Sequence, residues 1–324
     1  VVLVEVTGGQ PDKLQLKLVP VPLMEGALVS YGTHALGFDA AVGGWDFDRS
    51  QVNRVTAMRQ TGSIMKPIIY SKAYDMGLPP SAIFSGVAFR EGDWSPTGKK
   101  SSDDKLVWNG LIKSDNAVSL RVLKYVLHRS EKEDYESWGR RVGLTHPLRG
   151  NTAEALGGDQ TPLGMARAFG TFARKGYRVP VSFVRKVVDP TGRVLVRQIS
   201  PLDPHISLQD TVQAVWDFVI SPPERVIDAS TAYLISANMV QVIKAGTGRR
   251  ARRLKREAAG KTGTLPFDVW FVGFTANHVA LSWIGADRRE RPLGKSEKVN
   301  RVYGADTALP VWLSFMRRID VHRP

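Results

Sequence analysis

Three short polar motifs, Ser63-Ile-Met-Lys66, Ser114-Asp115-Asn116 and Lys261-Thr262-Gly263-Thr264, stand far apart along a chain of 324 residues. Each is commonplace alone. In this order they supply a nucleophilic hydroxyl, a nearby amine, a second hydroxyl able to pass on a proton, and a cationic, hydroxyl-bearing edge that can hold an anion. Such chemistry works only where all three motifs meet in one cleft. The fold must therefore bring a helix start, a loop and a strand edge together across most of the sequence.

Local patterning gives each motif a place. Gly62 precedes Ser63, and apolar residues continue through Ile68, Ile69, Tyr70, Ala73 and Tyr74 to Gly77 and Pro79-Pro80, which predicts a helix starting at Ser63. Ser63 and Lys66, three residues apart, then share one face at the positive end of the helix dipole, where an anion is favoured. Pro67 is tolerated in a first turn, where its missing N–H costs little. Ser114-Asp115-Asn116 leads into an apolar helical run over residues 117–126, so Ser114 and Asn116 belong to a loop or first turn. Alone, this triplet reads better as a helix cap than as a catalyst, and Ser63 with Lys66 reads as a capping serine beside a surface lysine. The order of the trio changes that balance.

The rest of the chain is punctuated in keeping with this. Residues 1–24 read as an extended linker or small β appendage, with strand candidates at 1–6 and 14–18 around Gly8-Gly9 and Pro11. Residues 26–31 and 35–42 read as a hairpin, 81–113 as irregular with short helical turns, and 162–175 as a helix. A strand pair follows around 182–189 and 193–198, turning at Pro190-Thr191-Gly192. Asp228-Ala229-Ser230 caps a long helix ending at Gly246-Thr247-Gly248. Residues 258–264, 269–275 and 279–285 then form consecutive antiparallel strands, and 312–318 a last helix. Helices gathered before and after a run of strands give an α+β fold.

Composition removes several alternatives. With no cysteine there is no disulfide framework, thiolate zinc site or cysteine nucleophile, and the six scattered histidines form no metal-binding pair on one helical face, so neither metal nor cofactor is expected. No apolar run reaches the roughly 20 residues of a spanning helix. Net charge is +14, and Arg249-Arg250-Ala251-Arg252-Arg253-Leu254-Lys255-Arg256 is its densest stretch. Such a stretch suits an anionic partner or a solvated basic loop. No helix-turn-helix, zinc-finger or RNP-like signature accompanies it, so no nucleic acid is expected.

The trio S-x-x-K, S-x-N and K-T-G resembles the signature of the penicillin-recognising serine acyltransferases. Its flanks are more specific. Val42-Gly43-Gly44-Trp45-Asp46-Phe47 with Asn53-Arg54, Arg59-Gln60-Thr61-Gly62, Ala155-Leu156-Gly157-Gly158-Asp159-Gln160-Thr161-Pro162-Leu163 and Asp268-Val269-Trp270-Phe271-Val272-Gly273-Phe274 look like the transpeptidase domain of bifunctional, class A penicillin-binding proteins. The resemblance covers residues 25–318, leaving 319–324 as a C-terminal tail. It implies a β-lactamase/transpeptidase-like α+β fold: an antiparallel sheet of about five strands flanked by helices, a helical lobe, and a cleft between them.

What the resemblance implies falls residue by residue on this sequence. Ser63 is the nucleophile that attacks the penultimate D-Ala carbonyl of a stem peptide ending in D-Ala-D-Ala. Lys66 accepts its proton, and so needs a pKa depressed by burial and by Lys261. Ser114 relays the proton to the departing amine. Asn116 holds the substrate's amide and Lys66, while Lys261, Thr262 and Thr264 bind the terminal carboxylate. Gly263 keeps the strand edge open for an added peptide strand. The backbone N–H groups of Ser63 and Thr264 form the oxyanion hole.

The expected activity is that of a serine-type D,D-transpeptidase cross-linking peptidoglycan and acylated by β-lactams. Two alternatives keep the same site: a D,D-carboxypeptidase and a non-catalytic β-lactam or muropeptide sensor. No E-x-x-L-N pentapeptide lies between Ser114 and Lys261, so rapid lactam hydrolysis is not expected, and Leu265-Pro266-Phe267 departs from the polar insertion of many relatives. A class A protein also implies a glycosyltransferase domain and a membrane anchor ahead of residue 1. The expectation is a fragment of a larger protein at the extracytoplasmic, periplasmic face of a bacterial inner membrane.

Overall fold

The computed structural model describes residues 3–19, 22, 24–34, 37–96, 103–179, 182–184, 186–197, 207–220, 222–288, 292–293 and 302–319. Strands β1 (Leu3–Gln10) and β2 (Lys13–Val19) form a separate antiparallel hairpin, exposed along β2. The main sheet opens with β3 (Glu25–Gly32) and β4 (Phe38–Val42). Short strand β5 (Arg59–Gln60) leads through a 3-10 turn at Gly62–Met65 into α1 (Lys66–Asp75). Next come β6 (Ile83–Phe84), β7 (Lys105–Leu106), α2 (Val107–Ile112), α3 (Asn116–Leu127) and α4 (Lys132–Val142).

After a second 3-10 turn, Thr152–Leu156, the chain forms β8 (Asp159–Gln160), α5 (Pro162–Ala173), the ladder of β9 (Lys186–Val188) with β10 (Val194–Arg197), α6 (Leu208–Ile220) and α7 (Ala229–Ala245). A third 3-10 turn, Arg249–Leu254, precedes β11 (Ala259–Thr264), β12 (Asp268–Phe274), β13 (His278–Gly285) and α8 (Ala308–Ile319). The five-stranded sheet has the order β11-β12-β13-β3-β4 and is antiparallel throughout. Strand β11, carrying Lys261, is thus an edge.

Alternation along the strands builds a core on each face of this sheet. Trp270, Val272, Val279 and Leu281 join the main core with α1, α3 and α5, whereas Phe271 and Ala280 join a second core with Trp312 of α8 and with Ala251 and Leu254. Phe271 and Trp312 meet edge to face at 4.9 Å between centroids. Helix α1 is buried over residues 66–74, the burial that an apolar run without a polar face requires.

The elements follow the sequence closely, and the main differences have local causes. The helix at Ser63 begins as a 3-10 turn, and α8 starts four residues earlier than its apolar run because Pro310 fits a first turn. Helices α4 and α6 lie where the sequence reading assigned none. Residues 249–254 form a 3-10 turn rather than a loop: Ala251 and Leu254, 0% and 4% exposed, hold it against α8, while the basic side chains of 249–256 stay exposed as the solvated reading expects. Residues 1–2, 20–21, 23, 35–36, 97–102, 185, 198 and 320–324, on which parts of the expectations fall, lie outside the described residues. No helix among the described residues is long and apolar enough to cross a membrane.

Candidate active site

The serine turn is fixed before its chemistry is considered. Thr61 N and Oγ1 both donate to Gly158 O, at 3.0 and 2.9 Å, and Gly158 N donates back to Thr61 Oγ1 at 3.1 Å. Arg59 and Gln60 pair with Gln160 and Asp159, and Trp270 Nε1 donates to Gln60 O at 2.8 Å. At the base, Arg54 and Arg59 both reach Asp287, and Arg59 lies over the Trp283 ring at 4.5 Å. The turn is thereby tied to the sheet and to the 152–160 segment.

Within it, Lys66 N–H donates to Ser63 O, the i to i+3 bond of a 3-10 turn. Side chains three apart eclipse in that geometry, so Ser63 and Lys66 share a face more strictly than in an α-helix. Ser63 is half-buried, and the first-turn amides have no partner inside the turn. A β-carbon built on Gly62 would stand 3.6 Å from Thr264 N. The start of the serine turn and the end of the Lys261 strand therefore lie side by side.

Ser114 is held between two lysines. Its φ of +56° is in the left-handed region, which is unfavourable by roughly 1–2 kcal/mol for a residue with a β-carbon. Neighbouring bonds impose it: Ser114 N donates to Leu111 O at 3.1 Å and Asp115 N to Gly110 O at 2.8 Å. Asp115 caps α3 by accepting from Val118 N at 3.1 Å and pairs with Lys105. Burial opposes the charge on Asp115, yet the Lys105 and Val118 hydrogen bonds outweigh it and hold this carboxyl below its usual range.

Lys66 and Lys261 both converge on the Ser114 motif. Lys66 Nζ lies 2.7 Å from Ser114 O, 2.8 Å from Asn116 Oδ1 and 3.3 Å from Ser114 Oγ, and Lys261 Nζ lies 2.9 Å from Ser114 Oγ and 3.1 Å from Thr262 O. Both lysines are 0% exposed. Burial first, and the charge of Lys261 second, push Lys66 well below the ordinary lysine range against the opposing pull of Asp115. Burial lowers Lys261 to about 7. Two of the Lys66 contacts are obligate acceptors and take N–H donors. A neutral amine then keeps one lone pair to receive a proton.

The remaining predicted residues sit on β11 but not all as anticipated. Gly263 leaves no room for a side chain: a β-carbon there would meet Thr61 O at 2.7 Å, Ile64 Cγ2 at 3.1 Å and Trp270 Cβ at 3.1 Å, while β11 keeps its outer edge unpaired within the sheet. Its glycine is needed where the serine turn packs on the strand. Thr264 Oγ1 already accepts from Gly304 N at 3.0 Å, and Thr262 Oγ1 lies 2.7 Å from Thr247 Oγ1. Sequence reasoning missed Thr247, treating Gly246-Thr247-Gly248 only as a helix stop, and it missed Lys105, Gly304 and Asp287 altogether. Only the Gly-Thr-Gly spelling could have drawn attention to Thr247. Among the described residues no group of His, Cys, Asp and Glu is placed to hold a metal ion.

Residues 39–284 match the penicillin binding protein transpeptidase domain family. Over 315 residues the chain is 35% identical to penicillin-binding protein 1A of Neisseria meningitidis, covering 93% of this chain and 36% of that protein. The protein of the same name from Pseudomonas aeruginosa is 32% identical over 346 residues, covering 93% and 41%. The chain thus spans little more than a third of the length of these relatives. The crystal structure of penicillin-binding protein 1A from Haemophilus influenzae superposes with a TM-score of 0.79 at 27% identity, over 95% of this chain and 49% of that one. PonA1 of Mycobacterium tuberculosis in complex with penicillin V shares the fold, with a TM-score of 0.75 at 21% identity over 94% and 80%.

Proposed function

The chain belongs to the penicillin-binding-protein transpeptidase family, and on that premise we propose that residues 25–318 form a serine D,D-transpeptidase acting on peptidoglycan stem peptides ending in D-Ala-D-Ala. Ser63 Oγ attacks the penultimate D-Ala carbonyl carbon while its proton passes to the neutral Lys66 amine. The backbone N–H groups of Ser63 and Thr264 receive the developing oxyanion; each such donor contributes on the order of 3–4 kcal/mol to the barrier reduction. Collapse breaks the peptide C–N bond. The Ser114 hydroxyl gives its proton to the leaving D-Ala amine and regains one from Lys66. The acyl-enzyme ester then yields to the amine of a second stem peptide, forming a new amide and returning the proton to Ser63.

Lys261 holds the substrate's terminal carboxylate and keeps Ser114 oriented, and Asn116 fixes Lys66. A β-lactam enters the same path, but its leaving nitrogen stays tethered after ring opening. The protein works at the extracytoplasmic face of the inner membrane, alongside a glycosyltransferase domain and an anchor elsewhere in the full-length protein. The observation that carries the reading is Ser114 Oγ lying within 3.3 Å of Lys66 Nζ and 2.9 Å of Lys261 Nζ, a relay spanning all three motifs.

Intact-protein mass spectrometry after treatment with a fluorescent penicillin tests it. The expected result is one persistent adduct on Ser63 and none on Ser63→Ala. A folded wild type that takes no label overturns the proposal.

A further inference from the structure

The turn Gly246-Thr247-Gly248, between α7 and the 249–254 turn, is pinned from several sides. Gly246 N and Gly248 N both donate to Val242 O, at 3.0 and 3.1 Å, and Lys113 Nζ donates to Ala245 O at 3.0 Å. A β-carbon on Gly246 would stand 2.4 Å from Ile112 O. The turn therefore seats on the end of α2, and the next residues along from that end are Lys113 and Ser114. One piece of backbone positions both Ser114 and Thr247.

Thr247 itself is exposed, while Thr262 is 6% exposed and lies behind it. Their hydroxyl oxygens are 2.7 Å apart, and among the described residues neither makes another hydrogen bond. Two hydroxyls in one pair hold two protons, and their mutual bond uses only one. The other O–H is left to point outward. Because Thr262 is covered and Thr247 faces the open side, the outward donor is the Thr247 hydroxyl, polarised by the Thr262 hydroxyl behind it. Lys261, the next residue along the strand, donates through Nζ to Thr262 O and Ser114 Oγ, and in its protonated form it carries one further N–H.

We infer that Thr247 is a substrate-contacting residue: with Thr262 it forms a hydroxyl pair whose exposed O–H binds the terminal carboxylate of the acyl donor. The inference rests on the transpeptidase reading above and deepens it, adding to the contacts of the KTG strand an outer carboxylate contact on the turn after α7. Thr264 Oγ1 accepts from Gly304 N, which leaves its own O–H as a second donor to the same carboxylate. Arginine or lysine alone would attract any anion. A hydroxyl pair set beside one buried lysine selects a small planar carboxylate at a fixed place.

The test compares two acylating agents that differ only in that group, benzylpenicillin and its methyl ester, on the wild-type chain, Thr247→Val, Thr247→Ala and Thr247→Ser. Valine keeps the shape and removes the hydroxyl. For Thr247→Val and Thr247→Ala the second-order acylation rate with benzylpenicillin should fall roughly tenfold, the loss typical of one hydrogen bond to a charged group. The rate with the methyl ester should stay within about twofold of wild type, and Thr247→Ser should restore the benzylpenicillin rate. Equal losses with both agents would reduce Thr247 to a structural role and overturn the inference, as would an unchanged benzylpenicillin rate in Thr247→Val. A wild type labelled by neither agent would instead overturn the parent reading and this one with it.

Discussion

Replacing Gly263 with alanine puts a methyl group into the seam between the serine turn and the edge strand. The new β-carbon would lie 2.7 Å from Thr61 O, where ordinary contact begins near 3.4 Å, so some 0.7 Å must be found. Thr61 cannot swing aside freely, because its N and Oγ1 are bonded to Gly158 O. Ile64 and Trp270, both buried at 3.1 Å from the new atom, close the other directions. The turn that carries Ser63 must shift as a body.

Overpacking of this kind costs about 1–3 kcal/mol. With about 2.1 cal/mol/K of unfolding entropy per residue, a 324-residue chain loses about 2–4 °C of Tm. Catalysis should suffer more. A misplacement near 1 Å costs about a hundredfold, so a shift of roughly half that predicts a fall on the order of tenfold in acylation rate. Stopped-flow measurement with a fluorescent penicillin reads the rate, and differential scanning calorimetry reads the Tm. Gly77→Ala is the control: its β-carbon meets nothing within 4 Å, but its φ of +87° makes alanine strained. It should lower Tm and leave acylation alone. Wild-type acylation by Gly263→Ala, or an equal loss in Gly77→Ala, would refute the reasoning.

Two further predictions follow from the charges around the cleft. Burial lowers Lys261 to about 7, so between there and the ordinary lysine range near 10.4 the unfolded chain binds more protons than the folded one, and stability rises with pH across that window. Lys261→Met should flatten that rise in denaturant titrations at stepped pH; a variant with the wild-type slope would contradict the assignment. Lys105→Met removes the principal partner holding the Asp115 carboxyl down, so its pKa should rise, and the stability this carboxylate contributes should begin to disappear at a higher pH on acidification. Side-chain NMR titration of Asp115 measures the shift, and an unchanged or lower value in the variant would refute the role given to Lys105.

Much of the site was legible because its signals are local. A glycine before an apolar run marks the Ser63 turn, a polar triplet before another marks the head of α3, and consecutive apolar strands mark the sheet that carries Lys261. Helical and strand periods are properties of neighbouring residues, and the sequence displays them directly. The missed residues share the opposite character. Thr247 matters because a turn after α7 seats on the end of α2, and Lys105 because β7 lies within reach of the cap of α3; no spacing along the chain encodes either contact.

By itself, then, the sequence determined the α+β class, the order of the strands along the chain, and which side chains could do acyl-transfer chemistry. The tertiary structure alone decided that Ser114 stands between two buried lysines, that the Ser63 turn is 3-10 rather than α, and that Gly263 packs tightly against the serine turn. The physical reason is that pKa values and fit depend on desolvation and on contacts between segments distant in the chain. Both quantities come into being only when the chain closes around Lys66 and Lys261.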